Sequence, residues 1–302
     1  MKEKPEECLT FFSSIRATYP KELADLTDVQ WAQVAPDKMV IATKDRTWLS
    51  RPHFGKNRFA QPMEGAGGSI TTTKNLLDSA IAAGKCAAHS VRSPVLNPIS
   101  WIWQLAEAYH LCNPISELME EACVGFSMLG RWNLAEWAAQ KANKEKGHKR
   151  LVLCDLESMG YDAEAVVEVI VPTTAEALID YLTYRVRDWN PIDCVGCSYT
   201  MESIAMGIGK EYIDEVEAIL PLGIDATRYL RAHSSVGADI KHMEETVEMV
   251  AKLPAKERIR VAIACYETAL LCFNPATEDC MSNEELQQIL EPLKLNPKVL
   301  NK

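Results

Sequence analysis

Beyond about residue 71 apolar side chains recur every three to four positions in run after run, and polar faces fill the positions between them. The spacing predicts helices at about 73–91, 97–111, 113–128, 132–158, 162–170, 173–188, 197–219, 223–252 with an internal break, and 255–273. Turn and cap signals separate these runs: Asn97-Pro98, Asn113-Pro114, Pro172-Thr173-Thr174, Asn190-Pro191, Pro221-Leu222-Gly223 and Asn274-Pro275. Residues 1–70 read differently. There DKMVIATKDRTWLS suits a short strand and EGAGGSITTT a turn-rich joint, so 1–70 is expected to be an N-terminal extension of mixed or irregular structure. Residues 71–302 are expected to form one helical domain.

No period of about 20–50 residues repeats, which excludes a helical solenoid. Seven or more helices joined by short turns imply a compact all-α bundle, whose inner faces can bring side chains from several helices to one point. Composition agrees. The 14 glycines and 15 prolines are few for 302 residues and fall mostly between the periodic runs, which are filled by the helix formers Ala, Leu, Glu and Met.

Charge narrows the partners. A formal net charge of −10 without a basic stripe disfavours nucleic acid and anionic membrane surfaces. No run of about 18 uncharged apolar residues would span a bilayer, and MKEKPEECLTFF has no long apolar stretch for secretion, so a cytoplasmic protein is expected. The ten cysteines, scattered through helical runs, are then expected to be thiols, most of them small buried side chains. Cys194 and Cys197 in CVGC lack a second CxxC and read as packing.

Three segments carry candidate chemistry. In KANKEKGHKR, Glu145 and His148 are three apart, a spacing that on a helix lets a carboxylate and an imidazole reach one ion. In GCSYTMESIAMGIGKEY, Glu202 is a solitary acid among apolar residues, costly to bury unless paired or metal-bound. In YLRAHSSVGADIKHMEE, Asp239 and His242 are again three apart, and His233 precedes the Asp across a Ser/Gly stretch where a helix can unwind. Three carboxylates and three imidazoles suit iron or manganese, whereas a structural zinc site favours thiolates.

EKGHKRLVLCDLESMGY, YTMES and YLRAH followed by DIKHMEE resemble the haem-oxygenase-like di-metal (non-haem di-iron) oxidases over about residues 95–275. That family is related in fold to thiaminase-like and PQQ-synthase-like helical proteins. The resemblance implies a haem-oxygenase-like bundle of about seven core helices with an N-terminal extension. It also implies two Fe(II) ions, or manganese, with O2 as co-substrate. Glu145, His148 and His233 would hold one ion, and Glu202, Asp239 and His242 the other. The activity implied is oxidation or oxygenation of a small fatty-acid-like or amino-acid-like substrate, with room for an external electron donor and a homodimer. One departure stands out: the usual spacing is H-x3-D-x2-H, but two further residues separate His233 from Asp239, so His233 joins the set only if the helix breaks around Gly237.

Tyr199, Tyr229, Phe126 and Trp137 are candidates to line a substrate pocket, and Arg228 and Arg231 to meet a substrate carboxylate, although packing and surface placement compete for all of them. Rival readings remain. A metal-free thiaminase-like or cofactor-maturation enzyme would use a cysteine such as Cys123, Cys194 or Cys197, and a haem oxygenase a proximal His such as His89 or His110. A non-catalytic interaction protein would use EELQQILEPL and the first 70 residues.

Overall fold

The computed structural model describes residues 28–52, 58–88, 95–234, 240–274 and 281–295. Strands β1 (Val29–Ala35), β2 (Lys38–Thr43) and β3 (Thr47–Ser50) come first, followed by helices α1 (Ile70–Ala87), α2 (Pro98–Cys112) and α3 (Ile115–Met128). Next come α4 (Trp132–Glu145), α5 (His148–Ser158), α6 (Ala163–Val169), α7 (Thr173–Val186), α8 (Asp193–Met206) and α9 (Lys210–Ile219). The last are α10 (Arg228–Ala232), α11 (Ile240–Ala251), α12 (Ala255–Cys272) and α13 (Asn283–Leu290). The fold is all-α with a small N-terminal sheet, and among the described residues no helix is long and apolar enough to cross a membrane.

Contacts divide the chain into two compact units. The first takes residues up to 89, Pro191–Met201 and Ile240–Phe273; the second takes Ser90–Asn190, Glu202–Asp239 and Asn274–Lys302. Where one short strand was expected, the first unit holds an antiparallel sheet in the order β1-β2-β3. Val29, Trp31, Met39 and Ile41 pack there with Phe59, Met63 and Ala255, and the Trp31 and Phe59 rings meet edge to face at 5.1 Å. Arg258 of α12 is buried beneath the sheet, where its Nε donates to Gln30 Oε1 at 3.0 Å. Helix α8 lies so close to α12 that a Cβ on Gly196 would come within 2.4 Å of the Val261 carbonyl oxygen.

The second unit is built on Trp101, Ile102 and Leu105 of α2, Val152 and Leu156 of α5, Val166 of α6 and Leu290 of α13. Helices α2 and α13 start on strong caps. The Asn97 side chain accepts the N–H groups of Ile99 and Ser100, Pro98 follows at the first helical position, and Ser282 and Glu285 form a reciprocal cap on α13.

Three expected helices are interrupted. The 132–158 run is cut at Lys146 and Gly147, where Gly147 takes φ +93°, a left-handed conformation that ends α4 before α5 begins. The 197–219 run begins earlier, at Asp193, and breaks between Met206 and Lys210 around Gly207 and Gly209. In 223–252, among the described residues, Arg228–Ala232 and Ile240–Ala251 are helical, and the break expected around Gly237 lies outside those residues. Cys112, Cys194, Cys197 and Cys265 are buried thiols as expected, whereas Cys86 is disulfide-bonded.

Candidate metal centre

Glu145 is the last residue of α4 and His148 the first of α5, so they do not share the single unbroken helix that their spacing suggested. The Gly147 turn does the same work. It sets His148 Nδ1 2.7 Å from Glu145 Oε2. His233 stands at the C-terminal end of α10, where its backbone N–H donates to the Tyr229 carbonyl. Its Nε2 is 3.7 Å from the same Glu145 oxygen, and the two imidazoles meet edge to face with centroids 4.3 Å apart. One ligand atom from each of Glu145, His148 and His233 can be chosen so that all lie within 4.8 Å of one another.

The electrostatics favour a cation. Burial pushes the Glu145 carboxyl up, but hydrogen bonds and charge from His148 and His233 outweigh it and pull the pKa down to about 2. His233 Nδ1 donates to the Tyr229 carbonyl at 3.2 Å, which orients the ring with Nε2 toward Glu145. The Tyr229 ring lies over the His233 ring at 4.2 Å.

A buried acid on α5 holds this arrangement. Asp155 Oδ1 accepts the Arg228 backbone N–H at 3.2 Å and the Arg228 guanidinium at 3.0 Å, while Oδ2 accepts the Tyr229 N–H at 3.0 Å. The helix that starts with His148 therefore anchors the start of the helix that ends at His233. Burial outweighs these bonds and raises the Asp155 pKa above its ordinary range.

The other three candidates have separate surroundings. Glu202 takes the Lys141 ammonium on Oε1, with Lys144 Nζ 3.8 Å from the same oxygen, while Oε2 is buried without a hydrogen-bond partner. Asp239 lies outside the described residues. His242 is on α11 in the first unit, its Nδ1 3.4 Å from Glu245 Oε2. Lys141 is the residue that sequence reasoning missed. Its signal was its position, one helical turn ahead of Glu145.

The remaining candidates resolve individually. Arg228 is committed to Asp155, and Arg231 pairs with Glu217. The Tyr199 hydroxyl donates to Asp78 at 2.7 Å, Phe126 is fully buried, and the Trp137 ring lies 6.0 Å from the Lys141 ammonium. His110 Nε2 faces the carbonyls of Val167 and Ile170 at 2.9 and 3.0 Å, and His89 lies outside the described residues. Burial holds the Cys194 thiol well above its ordinary value, which disfavours it as a nucleophile.

A carboxylate held ionised beside two imidazoles is a donor set that fits iron or manganese, and the bare Glu202 oxygen adds a further acceptor in the same unit. Residues 136–274 match the family described as iron-containing redox enzymes. No curated protein matches the sequence significantly. Among solved structures, a TenA homologue from Pseudomonas syringae pv. tomato str. DC3000 superposes with a TM-score of 0.50 at 12% identity, over 70% of this chain and 97% of that one. A domain with a heme oxygenase-like fold from Shewanella denitrificans OS217 gives a TM-score of 0.49 at 22% identity, over 72% of this chain and 88% of that one. The chain thus has a haem-oxygenase-like helical fold, and its residues 136–274 match the iron-containing redox enzymes.

Proposed function

We propose that this protein is a non-haem iron oxidase that uses O2 to oxidise a small fatty-acid-like or amino-acid-like substrate. The observation that carries the reading is the convergence of Glu145, His148 and His233, three groups distant from one another or separated by a helix break in the sequence. These three are the proposed ligands of one ion; a second ion at Glu202, Asp239 and His242 is what the family resemblance alone implies. Iron bound there supplies electrons for the reductive activation of dioxygen.

The chain's own groups prepare the site for that chemistry. Glu145 stays ionised, so it offers negative charge without first losing a proton. The Tyr229 carbonyl orients His233 through Nδ1, and the Tyr229 ring covers one face of that imidazole. Asp155 keeps α10 in register with α5.

Anaerobic loading with Fe(II), removal of free ion and an iron count test the reading. The wild-type chain is expected to retain at least one iron per chain and to consume O2 when air and a reductant are admitted, while Glu145→Gln and His148→Ala lose the iron. Wild-type protein that retains no iron, or variants that retain as much as wild type, would overturn it.

A further inference from the structure

Glu202 is already supplied with cations. Lys141, 5% exposed, donates its ammonium to Oε1, and Lys144 Nζ stands 3.8 Å from the same oxygen. The two lysines are three apart on α4, so one helix face carries both to the carboxylate. A buried ammonium is costly unless a counter-charge meets it, and Lys141 has two. Besides Glu202, the Glu145 carboxylate one turn along α4 acts on it electrostatically. Metal ligands do not gather around Glu202 in the same way. Among the described residues, Glu145, His148 and His233 form the one group of three metal-binding side chains whose ligand atoms converge. His242 belongs to the first unit, where its Nδ1 is 3.4 Å from Glu245 Oε2. An ion on the bare Oε2 of Glu202 would share one negative charge with two ammoniums that repel it, and a divalent ion needs further donors besides.

We propose that Lys141 is the resident cation of Glu202 and that the metal centre is mononuclear: the first ion, at Glu145, His148 and His233, has no second beside it. The proposal rests on the reading of those three residues as ligands, and it departs from the two-ion centre that the family resemblance implies. Lys141 and Glu202 satisfy each other, so neither stands as an uncompensated buried charge whether or not metal is bound. The ammonium is a compact point charge fixed to the chain, with three donors and no acceptor. It offers no coordination position and no change of oxidation state, so the redox chemistry of the centre belongs to a single ion.

Mn(II) titration of the full chain, followed by calorimetry and by electron paramagnetic resonance of free and bound ion, tests the proposal in wild type and in the double variant Lys141→Met with Glu202→Gln. The double variant removes both buried charges together, so neither is left without its partner. Wild type is expected to bind one Mn(II) per chain with the spectrum of an isolated ion. The double variant is expected to hold that ion within about threefold of wild type, well inside the roughly 10- to 100-fold loss that follows removal of a group supporting a metal ligand. A second Mn(II) in wild type that couples magnetically to the first, or that the double variant loses, overturns the proposal.

Reductive methylation with peptide mapping of the wild-type chain gives a test that does not depend on the variant folding. Lys141 should be equally protected in the metal-free and Mn(II)-saturated forms, with the exposed Lys210 modified in both as the control. A Lys141 that becomes modified on saturation has left Glu202 to a metal ion, which also overturns the proposal. A different pattern marks failure of the underlying ligand reading, namely a first ion that does not bind or that His148→Ala leaves unchanged.

Discussion

The carboxylate of Asp155 accepts the backbone N–H of Tyr229 at 3.0 Å, so the element that begins with His148 holds the first turn of the element that ends at His233. His233, remote in sequence, is held near Glu145 and His148 through this buried acid. Removing it by Asp155→Ala takes the side-chain acceptor from two backbone N–H groups, while Arg228 keeps Ser158 and Asp225, at a cost of about 1–3 kcal/mol in urea unfolding. Asp155→Asn keeps the shape and one acceptor, so it should cost less while still weakening the first metal ion by about tenfold. An unchanged metal affinity in Asp155→Asn would show that the anchor does not reach His233.

The depressed carboxyl of Glu145 sets the sign of a pH effect on the metal-free chain. Its pKa of about 2 lies below the ordinary 4.5, so its ionised form stabilises the fold above the ordinary value, and that contribution is lost as pH falls from about 4.5 towards 2. The stability gap between wild type and Glu145→Gln should therefore be full near about pH 6 and narrow below about pH 4.5. Urea titrations across that range check it; a gap that widens on acidification contradicts it.

Gly147 holds the turn between Glu145 and His148 at φ +93°, and a Cβ added there meets nothing within 4 Å. The cost of Gly147→Ala is then a backbone cost alone, about 1–2 kcal/mol for a left-handed residue with a side chain. The same change should shift His148 from Glu145 and weaken the first ion. Unfolding and metal titration on one preparation separate the two effects.

Thiol reactivity tests the rival nucleophile. Burial pushes Cys112 up to about 12 and raises Cys194 and Cys265 as well, so very little of each is thiolate at neutral pH. Iodoacetamide on the native chain should leave these three unmodified, and the same reagent in urea should label them, as mass spectrometry of the peptides will report. Rapid native labelling of Cys194 would favour thiol chemistry.

Local sequence determined most of the helices, because apolar period and caps such as Asn97-Pro98 act over a few residues and need no partner. It also named Glu145 and His148 by residue type and spacing, whereas His233 joined them through the family resemblance, against a spacing that departs from it. It did not determine how the first two meet. A helix interior and a Gly147 turn both place residues three apart near each other, and only the packed chain selects the turn. Nor did it disclose the three-stranded sheet, whose strands are stabilised by pairing across the chain, or the Lys141 ammonium on Glu202, which bridges residues far apart in sequence. Periodicity is a property of neighbours along the chain, whereas the charge that meets a buried carboxylate depends on which helices come together. Tertiary structure alone decided that Glu202 would face a lysine.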